Sequence, residues 1–198
     1  MKICAATGNA GKLRELRRIL EAQGHEVVSQ KELGITLEPD ETGTTFEANA
    51  LIKAEAICKA SGLPTIADDS GLCVDALNGG PGVYSARFGG EGLDDKGRYT
   101  LLLEMLRGQT DRAAHFHTSI VCAFPNGDEL VCEGECPGTI AFAPMGEGGF
   151  GYDPVFFVPE LRKTFGQLTA EEKASVSHRG KALRAFAAAL DDYLKGNE

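Results

Sequence analysis

The spacing of apolar residues predicts a chain in which strands and helices alternate. Residues 2–6 form a short apolar run, typical of a buried strand, and it stops at Thr7, Gly8 and Asn9. Leucine and isoleucine then recur at helical spacing over residues 13–20. A strand followed by a tight turn and a helix is the opening of an α/β layer fold, so we expect that fold class.

In the rest of the chain, the spacing of apolar residues likewise alternates between that of a strand and that of a helix. Helices are predicted over residues 46–61, 94–107 and from about Ser177 onwards, strands over 26–29 and 64–67, and loops over 34–45 and 79–92. Gly62 follows the helix predicted over 46–61, at a position where glycine commonly ends a helix. No repeat or linker interrupts the sequence, so we expect a single domain over residues 1–198.

Residues 115–136 carry the clearest strand signal. Apolar and polar residues alternate over 115–124 and again over 129–136, and the sequence PNGD at 125–128 separates the two runs. An Asn-Gly pair between two alternating segments is typical of a hairpin turn. We therefore expect two strands joined by this turn.

The composition fits a globular enzyme, and the net charge argues against one class of binding partner. Hydrophobic residues make up 42% of the 198 residues and charged residues 25%, and the formal net charge is −9. A chain this acidic is not expected to bind nucleic acid through a basic face. An anionic substrate would need local cations, a helix N-terminus or a metal ion to overcome the repulsion.

The six cysteines are expected to be reduced. Most lie in apolar stretches, where free cysteine packs as a small hydrophobic residue, and no CxxC pair suggests zinc or redox chemistry. No apolar stretch is long enough to span a bilayer, and the first residues do not form a signal peptide. These features predict a cytoplasmic protein without a membrane partner.

The segment TGNAGK at 7–12 could bind phosphate. Its spacing does not match the P-loop motif, and Leu13 stands where that motif has a hydroxyl residue. Backbone N–H groups at a helix start nevertheless attract anions, and Lys12 adds a positive charge there. The alternative is that Asn9 or Thr7 caps an ordinary helix.

Asp68 and Asp69, in the segment ADDSGL, could hold a metal ion. We expect them at the end of the strand over 64–67, where adjacent carboxylates repel each other unless a cation neutralises them. Oxygen ligands beside a phosphate substrate favour Mg²⁺, which takes one or two carboxylates and keeps several waters. One of the pair could then deprotonate a water molecule. The alternative is an acidic turn without function.

Two later segments could bind a nucleotide base. FGYD at 150–153 offers aromatic rings for stacking and a carboxylate acceptor, and SHRGK at 177–181 places cations at a helix start. Core aromatics in a turn and a solvated basic helix are the alternatives. His115 and His117 share one strand face, but no third ligand follows at a suitable spacing, so we interpret them as strand surface or interface residues.

Together these segments resemble the inosine/xanthosine triphosphate pyrophosphatases, which hydrolyse non-standard purine nucleoside triphosphates to the monophosphate and pyrophosphate. The blocks that carry the resemblance are TGNAGKLREL at 7–16, ADDSGL at 67–72, GGPGVYSARF at 79–88, GGFGYDPVFF at 148–157 and SHRGKAL at 177–183. They follow the family's order and approximate spacing. The resemblance implies an α/β fold with an elongated mixed sheet and helices, two lobes flanking a central substrate cleft, and a homodimer.

The resemblance also implies roles for individual residues. Asp69 would be the catalytic base, and Asp69, Glu41 and Asp68 would hold Mg²⁺. The substrate-binding residues that it implies are Thr7, Gly8, Asn9, Ala10, Gly11, Lys12, Lys53, Ser70, Phe150, Gly151, Tyr152, Asp153, Lys173, His178 and Arg179. The expected reaction is attack of a Mg²⁺-activated water on the α-phosphorus of ITP, dITP or XTP.

Two other hypotheses remain open at the level of sequence. One is a pyrophosphatase with a different base preference, for instance for modified pyrimidine triphosphates. The other is a nucleotide-binding sensor or structural dimer without turnover. The adjacent acids Asp68 and Asp69 beside Lys12 and Lys53 favour an enzyme, because a protein that only binds nucleotide has no need of adjacent carboxylates.

Overall fold

The computed structural model describes residues 1–196 of the chain. The strands are β1 (Lys2–Ala5), β2 (Glu26–Ser29), β3 (Thr65–Val74), β4 (Gly80–Pro81), β5 (Ala113–Ala123), β6 (Glu129–Ile140), β7 (Phe156–Val158) and β8 (Lys163–Thr164). The α-helices are α1 (Ala10–Leu20), α2 (Phe46–Ser61), α3 (Asp95–Met105), α4 (Ala170–Val176) and α5 (His178–Gly196). Within residues 1–196, no helix combines the length and apolarity needed to cross a membrane.

The strands form one mixed sheet, which confirms the expected α/β class. The strand order is β2-β1-β3-β5-β6-β7-β8, and β4 pairs with β3. Strand β1 runs parallel to β2 and to β3, whereas β7 is antiparallel to both of its neighbours. Parallel neighbours need a crossover connection, and α1 supplies it between β1 and β2.

The first of two compact units contains β1, β2, α1, α2 and α5. It comprises residues 1–69, 118–134 and the segment from Arg179 onward. Helices α1 and α5 pack on the sheet around side chains such as Leu20, Ile66 and Phe186, which are almost completely buried. Helix α2 packs through a separate cluster that includes Ile57. These two clusters fix the starts of α1 and α5 and one face of α2.

The second compact unit comprises residues 70–117 and 135–178. Its core joins α3 to β7 and to parts of β3, β5 and β6. The Phe156 ring meets the rings of Phe116 and Phe165 edge-on, with centroids 4.7 and 4.8 Å apart. Such edge contacts are a favourable arrangement for aromatic rings, so these three residues form the centre of the unit.

The local signals in the sequence predicted several elements correctly. Helix α2 occupies the predicted residues 46–61 and ends at Gly62. Its φ of 69° is favourable for glycine, because glycine has no side chain to clash with the backbone. The hairpin turn is also confirmed, because the Phe124 N–H donates to the Asp128 carbonyl and Gly127 has φ 92°. The strand at 26–29, the loop at 34–45 and the helices near 94–107 and from Ser177 agree with the prediction as well.

The structure differs from the prediction in three places. The strand that begins at Thr65 continues to Val74, so Asp68 and Asp69 lie within β3 rather than at its end. Ser70-Gly71 suggests a turn locally, but pairing with β4 and β5 keeps the backbone extended. Residues 79–92 also contain β4 and a 3₁₀ helix at Gly82–Arg87, and α4 was not predicted.

Candidate active site

Strand β3 carries Asp68 and Asp69 next to each other, but in different surroundings. Successive side chains of a strand point to opposite faces of the sheet. Asp68 contacts cations carried by α1 and α5, whereas Asp69 contacts side chains of α2. The two acids that look like a pair in the sequence therefore have separate partners in the fold.

Asp68 is buried and ionised between two cations. Its Oδ2 lies 2.8 Å from Lys12 Nζ and accepts from Arg179 Nε at 3.3 Å. Burial alone would raise the pKa of Asp68, but the charges of Lys12 and Arg179 outweigh it and hold the pKa well below its ordinary value. Arg179 also donates to Glu15 at 3.2 Å. This network fixes Lys12, which was predicted to bind phosphate, and Arg179, which was predicted to bind the nucleotide and its base.

Asp69 is buried with fewer compensating charges. Its Oδ2 accepts from Asn49 Nδ2 at 3.2 Å, its Oδ1 lies 3.9 Å from Lys53 Nζ, and its backbone carbonyl accepts from Thr118 Oγ1 at 3.1 Å. Burial raises the pKa of Asp69, the Lys53 charge opposes this, and the Glu41 carboxylate adds to it. A carboxylate with a raised pKa is a stronger base, which suits the role predicted for Asp69.

Lys53 links the loop before α2 to strand β3. Its Nζ lies 3.0 Å from Glu41 Oε1 and donates to the Asp68 backbone carbonyl at 2.9 Å. The same ammonium is the one near Asp69. The structure therefore brings Glu41, which lies in the polar loop before α2, to the same cation as Asp69.

The segment at residues 7–12 begins helix α1 with an asparagine cap. Asn9 Oδ1 accepts from the backbone N–H groups of Gly11 and Lys12 at 2.8 and 3.1 Å, and Asn9 N–H donates to Thr7 Oγ1. The capping interpretation is confirmed. Gly8, Asn9 and Ala10 are exposed, so an anion can approach the start of this helix.

The carboxylates fit a divalent cation as a pair rather than as a cluster of three. Within residues 1–196, no group of three or more His, Cys, Asp or Glu side chains is placed to hold a metal ion. Asp69 and Glu41 repel each other across Lys53, and a bound cation would relieve this repulsion. Mg²⁺ commonly takes one or two carboxylates and completes its shell with water and phosphate oxygens. Asp68 is already neutralised by Lys12 and Arg179, and its metal role stays a prediction.

In the second unit, the buried carboxylate of Asp153 holds Lys173 beside an aromatic ring. Asp153 Oδ2 accepts from the Phe150 backbone N–H at 2.9 Å and lies 2.5 Å from Lys173 Nζ. That ammonium lies 4.6 Å from the centroid of the Phe150 ring and 5.4 Å from that of Phe165. The Phe150 ring is 39% exposed, so a planar ligand can reach it. Three of the residues predicted to bind nucleotide thus meet in one place.

Two other predicted nucleotide ligands are largely part of the core. The buried His178 ring stacks on Phe116 with centroids 4.7 Å apart and an angle of 10° between the rings. Tyr152 is buried, and its hydroxyl donates to the Ser85 carbonyl at 2.7 Å. The Tyr152 side chain therefore stabilises the unit, and its backbone carbonyl accepts from the N–H groups of Val155 and Phe156.

Three further residues that the sequence singled out contact nearby groups of the protein. Ser70 is half-buried on β3. The Gly151 N–H donates to the Asp95 carboxylate, at the start of α3, at 2.8 Å. His115 Nε2 lies 3.2 Å from Glu135 Oε1 on the partly exposed face of β5. The interpretation of His115 as a strand surface residue agrees with this contact.

Comparison with known proteins identifies the family. The sequence profile of the Ham1 family matches residues 3–189. The chain belongs to the Ham1 family. The dITP/XTP pyrophosphatase of Exiguobacterium sp. is 50% identical over 196 residues, which cover 99% of this chain and 100% of that protein. The dITP/XTP pyrophosphatase of Thermus thermophilus is 50% identical over 194 residues, or 97% of this chain and 93% of that protein. The structure of the Staphylococcus aureus Ham1 protein covers 100% of both chains with a TM-score of 0.89 and 42% identity.

The candidate site of this Ham1-family chain includes residues that the sequence did not assign. Glu15 contacts Arg179, Thr118 holds the Asp69 backbone, and Asn49 contacts the Asp69 carboxylate. Asn49 precedes Lys53 by four residues, which places both on one face of α2, and this was the available signal. Thr118 stands in the alternating pattern of β5 where an apolar residue would fit equally well, so nothing local marked it.

Proposed function

We propose that this protein hydrolyses the non-standard purine nucleoside triphosphates ITP, dITP and XTP to the monophosphate and pyrophosphate. Relatives that are 50% identical over nearly the whole chain bear the name dITP/XTP pyrophosphatase. The structural observation that carries the proposal is the convergence of Asp69 and Glu41 on Lys53. Carboxylates for a metal ion and for proton transfer then lie beside a cation for phosphate. The activity would remove these nucleotides before they are incorporated into DNA or RNA.

The triphosphate would be bound by cations that the fold already holds in place. Lys12 and Arg179 are positioned by Asp68, and Lys53 by Glu41 and the Asp68 carbonyl. Positioned cations offset negative charge on phosphoryl oxygens without being reorganised during the reaction. They would also offset locally the repulsion from a chain with a formal net charge of −9.

Asp69 would accept the proton of the water that attacks the α-phosphorus. Asn49 contacts one oxygen of its carboxylate and Lys53 lies near the other, so the group is oriented for proton transfer. Mg²⁺ held by Asp69 and Glu41 would make the water more acidic and neutralise charge on the phosphoryl oxygens. Pyrophosphate would leave from the side opposite the attacking oxygen.

The base would be bound in the second unit beside Phe150. Its ring offers a stacking face, while Lys173 is a donor next to it. Hypoxanthine and xanthine have a 6-keto group and an N1–H, whereas adenine has a 6-amino group and no proton on N1. A donor directed at O6 would face another donor in adenine, at a cost of about 1–3 kcal/mol for each unsatisfied buried group. ATP is therefore expected to be a poor substrate.

Gly149→Ala should weaken substrate binding through Asp153. A Cβ at Gly149 would overlap the Asp153 carboxylate, which holds Phe150 and Lys173. We expect KM for ITP to rise roughly tenfold or more, because a hydrogen bond to a charged group contributes about 1.5–3 kcal/mol. Gly108→Ala is the matched control, since Gly108 has a similar φ of +79° but open space around it. Equal KM values for the two variants would contradict this role of Asp153.

The products of hydrolysis test the proposed reaction directly. The protein should be incubated with Mg²⁺ and separately with ITP, XTP, dITP, ATP and GTP, and pyrophosphate and orthophosphate measured. We expect pyrophosphate as the first product, with ITP, XTP and dITP preferred and no turnover when EDTA removes the metal. Orthophosphate as the first product would rule out attack at the α-phosphorus. Binding without any product would favour a nucleotide sensor.

We also propose a homodimer in a reducing, cytoplasmic setting. The dimer rests on the family resemblance, and sedimentation of the purified protein would measure it. The six cysteines all lie within residues 1–196 and form no disulfide bond there, which supports a reducing compartment. Four of them are buried, where they pack as small apolar side chains.

A further inference from the structure

Asn49 is a completely buried polar residue on α2, and both ends of its amide are used. Its Oδ1 accepts from the Gly43 backbone N–H at 2.8 Å, and its Nδ2 donates to Asp69 Oδ2 at 3.2 Å. A backbone N–H can only donate and an ionised carboxylate can only accept, so the orientation of the amide is determined by its neighbours. Asn49 therefore forms a direct link between the loop before α2 and strand β3.

This link has consequences for Glu41. Gly43 lies two residues after Glu41 in the same loop, which has no regular secondary structure. Lys53, one helical turn beyond Asn49, lies with its Nζ 3.0 Å from Glu41 Oε1. Two residues of one helix face thus act on this region: Lys53 contacts both carboxylates through charge, whereas Asn49 bonds the Asp69 carboxylate and the Gly43 backbone near Glu41.

The packing at Gly43 shows independently that the loop is tightly seated. A Cβ at Gly43 would come within 2.7 Å of Asn49 Oδ1, 2.8 Å of Ala48 Cβ and 3.0 Å of the Asn49 backbone nitrogen. Contacts this short do not occur with real side chains, so only glycine lets the loop approach α2 at this point. The position of Glu41 therefore depends on how closely Gly43 packs on Asn49.

We propose that Asn49 is a positioning residue that sets the relative placement of Glu41 and Asp69 and so creates the site for a divalent cation. The inference rests on the proposed function and adds a determinant of metal affinity to it. Asn49 does not itself bind the ion, since its amide oxygen and nitrogen are engaged with Gly43 and Asp69. Side chains that orient metal ligands commonly change metal affinity about 10- to 100-fold when they are removed.

The test combines Asn49→Ala and Gly43→Ala with Ala50→Gly as a control. Asn49→Ala removes both hydrogen bonds, whereas Gly43→Ala keeps Asn49 but displaces the loop. Ala50 is the next residue on α2 and equally buried, and its replacement by glycine weakens the helix without touching either carboxylate. Thermal unfolding of each variant measures the general loss of stability.

Two readouts do not depend on turnover. Binding of Mn²⁺ alone, followed by electron paramagnetic resonance, should weaken about tenfold or more in Asn49→Ala and Gly43→Ala and remain unchanged in Ala50→Gly. Amide hydrogen exchange of residues 38–46 should accelerate in Asn49→Ala, because the Gly43 N–H loses its acceptor.

The proposal is overturned if Asn49→Ala binds Mn²⁺ as wild type does, or if loop exchange is unchanged. It is also overturned if Ala50→Gly loses as much affinity as Asn49→Ala at equal loss of stability, or if the wild-type protein binds no Mn²⁺. Failure of the proposed function appears separately, as a wild-type protein that binds Mn²⁺ but releases no pyrophosphate from ITP.

Discussion

Replacing Asp69 by asparagine should lower the rate of pyrophosphate release about 10²- to 10⁴-fold, the range that a general base commonly contributes. The carboxamide has nearly the same shape as the carboxylate and can still contact Asn49, so the fold of β3 should persist. It cannot accept a proton from water at neutral pH, and it loses the negative charge that we propose for the metal site. Nucleotide binding should remain measurable, because Lys12 and Arg179 are held by Asp68 rather than by Asp69.

The measurement is kcat from pyrophosphate release, together with calorimetric binding of ITP. Asp75→Asn is a suitable control, since Asp75 is an exposed acid just after the same strand. It should turn over ITP at the wild-type rate. If Asp69→Asn retained substantial activity while Asp75→Asn behaved as wild type, another group would have to be the base.

Replacing Asp68 by asparagine should instead lower the free energy of unfolding, by about 3–5 kcal/mol at neutral pH. The substitution leaves the buried Arg179 and the half-buried Lys12 without the negative charge that they share, although Arg179 keeps its contact with Glu15. A buried cation that loses its partner pays the full cost of leaving water. Urea unfolding of the variant and of wild type measures the difference.

The pH dependence of this difference follows from the direction of the Asp68 pKa. Because the pKa is lower in the folded chain than in the unfolded chain, the stabilisation is present above the ordinary value of about 3.9 and is lost as the pH falls toward the folded value. The gap between wild type and Asp68→Asn should therefore be full at pH 7 and narrow below about pH 4.

Glu26→Gln provides the matched control for Asp68→Asn. Glu26 lies 2.9 Å from Lys2, but its side chain is 62% exposed, and exposed pairs contribute little to stability. We expect a much smaller change in its unfolding free energy. Similar losses in Asp68→Asn and Glu26→Gln would show that Lys12 and Arg179 do not depend on Asp68.

The sequence predicted elements whose signals are local. Helix α2 could be placed to the residue because an apolar stripe ends at a glycine, and the hairpin before β6 because Asn-Gly separates two alternating runs. The length of β3 could not be predicted, since Ser70-Gly71 suggests a turn and only pairing with β4 and β5 keeps it extended. Local preference yields here to tertiary pairing.

Which residues belong to the site was easier to predict than which of them contact one another. The motifs led to Asp68, Asp69 and Lys12, and the family resemblance added Lys53; all four lie in the first unit. Which acid faces Lys12 depends on the phase of β3, and a shift of one residue would exchange their surroundings. The spacing of Asn49 and Lys53 places both on one face of α2, but the contact of Asn49 with Gly43 could not be predicted, because it depends on a loop whose path the sequence does not specify.

The asparagine cap of α1 affects what kind of ligand the start of this helix can select. Asn9 already supplies an oxygen to the N–H groups of Gly11 and Lys12, so an incoming phosphate would exchange one acceptor for another rather than satisfy vacant donors. The gain on exchange comes from replacing a neutral amide oxygen by an anionic one near the positive end of the helix. Ligands with little negative charge would gain almost no binding free energy there, so the cap favours strongly anionic ligands.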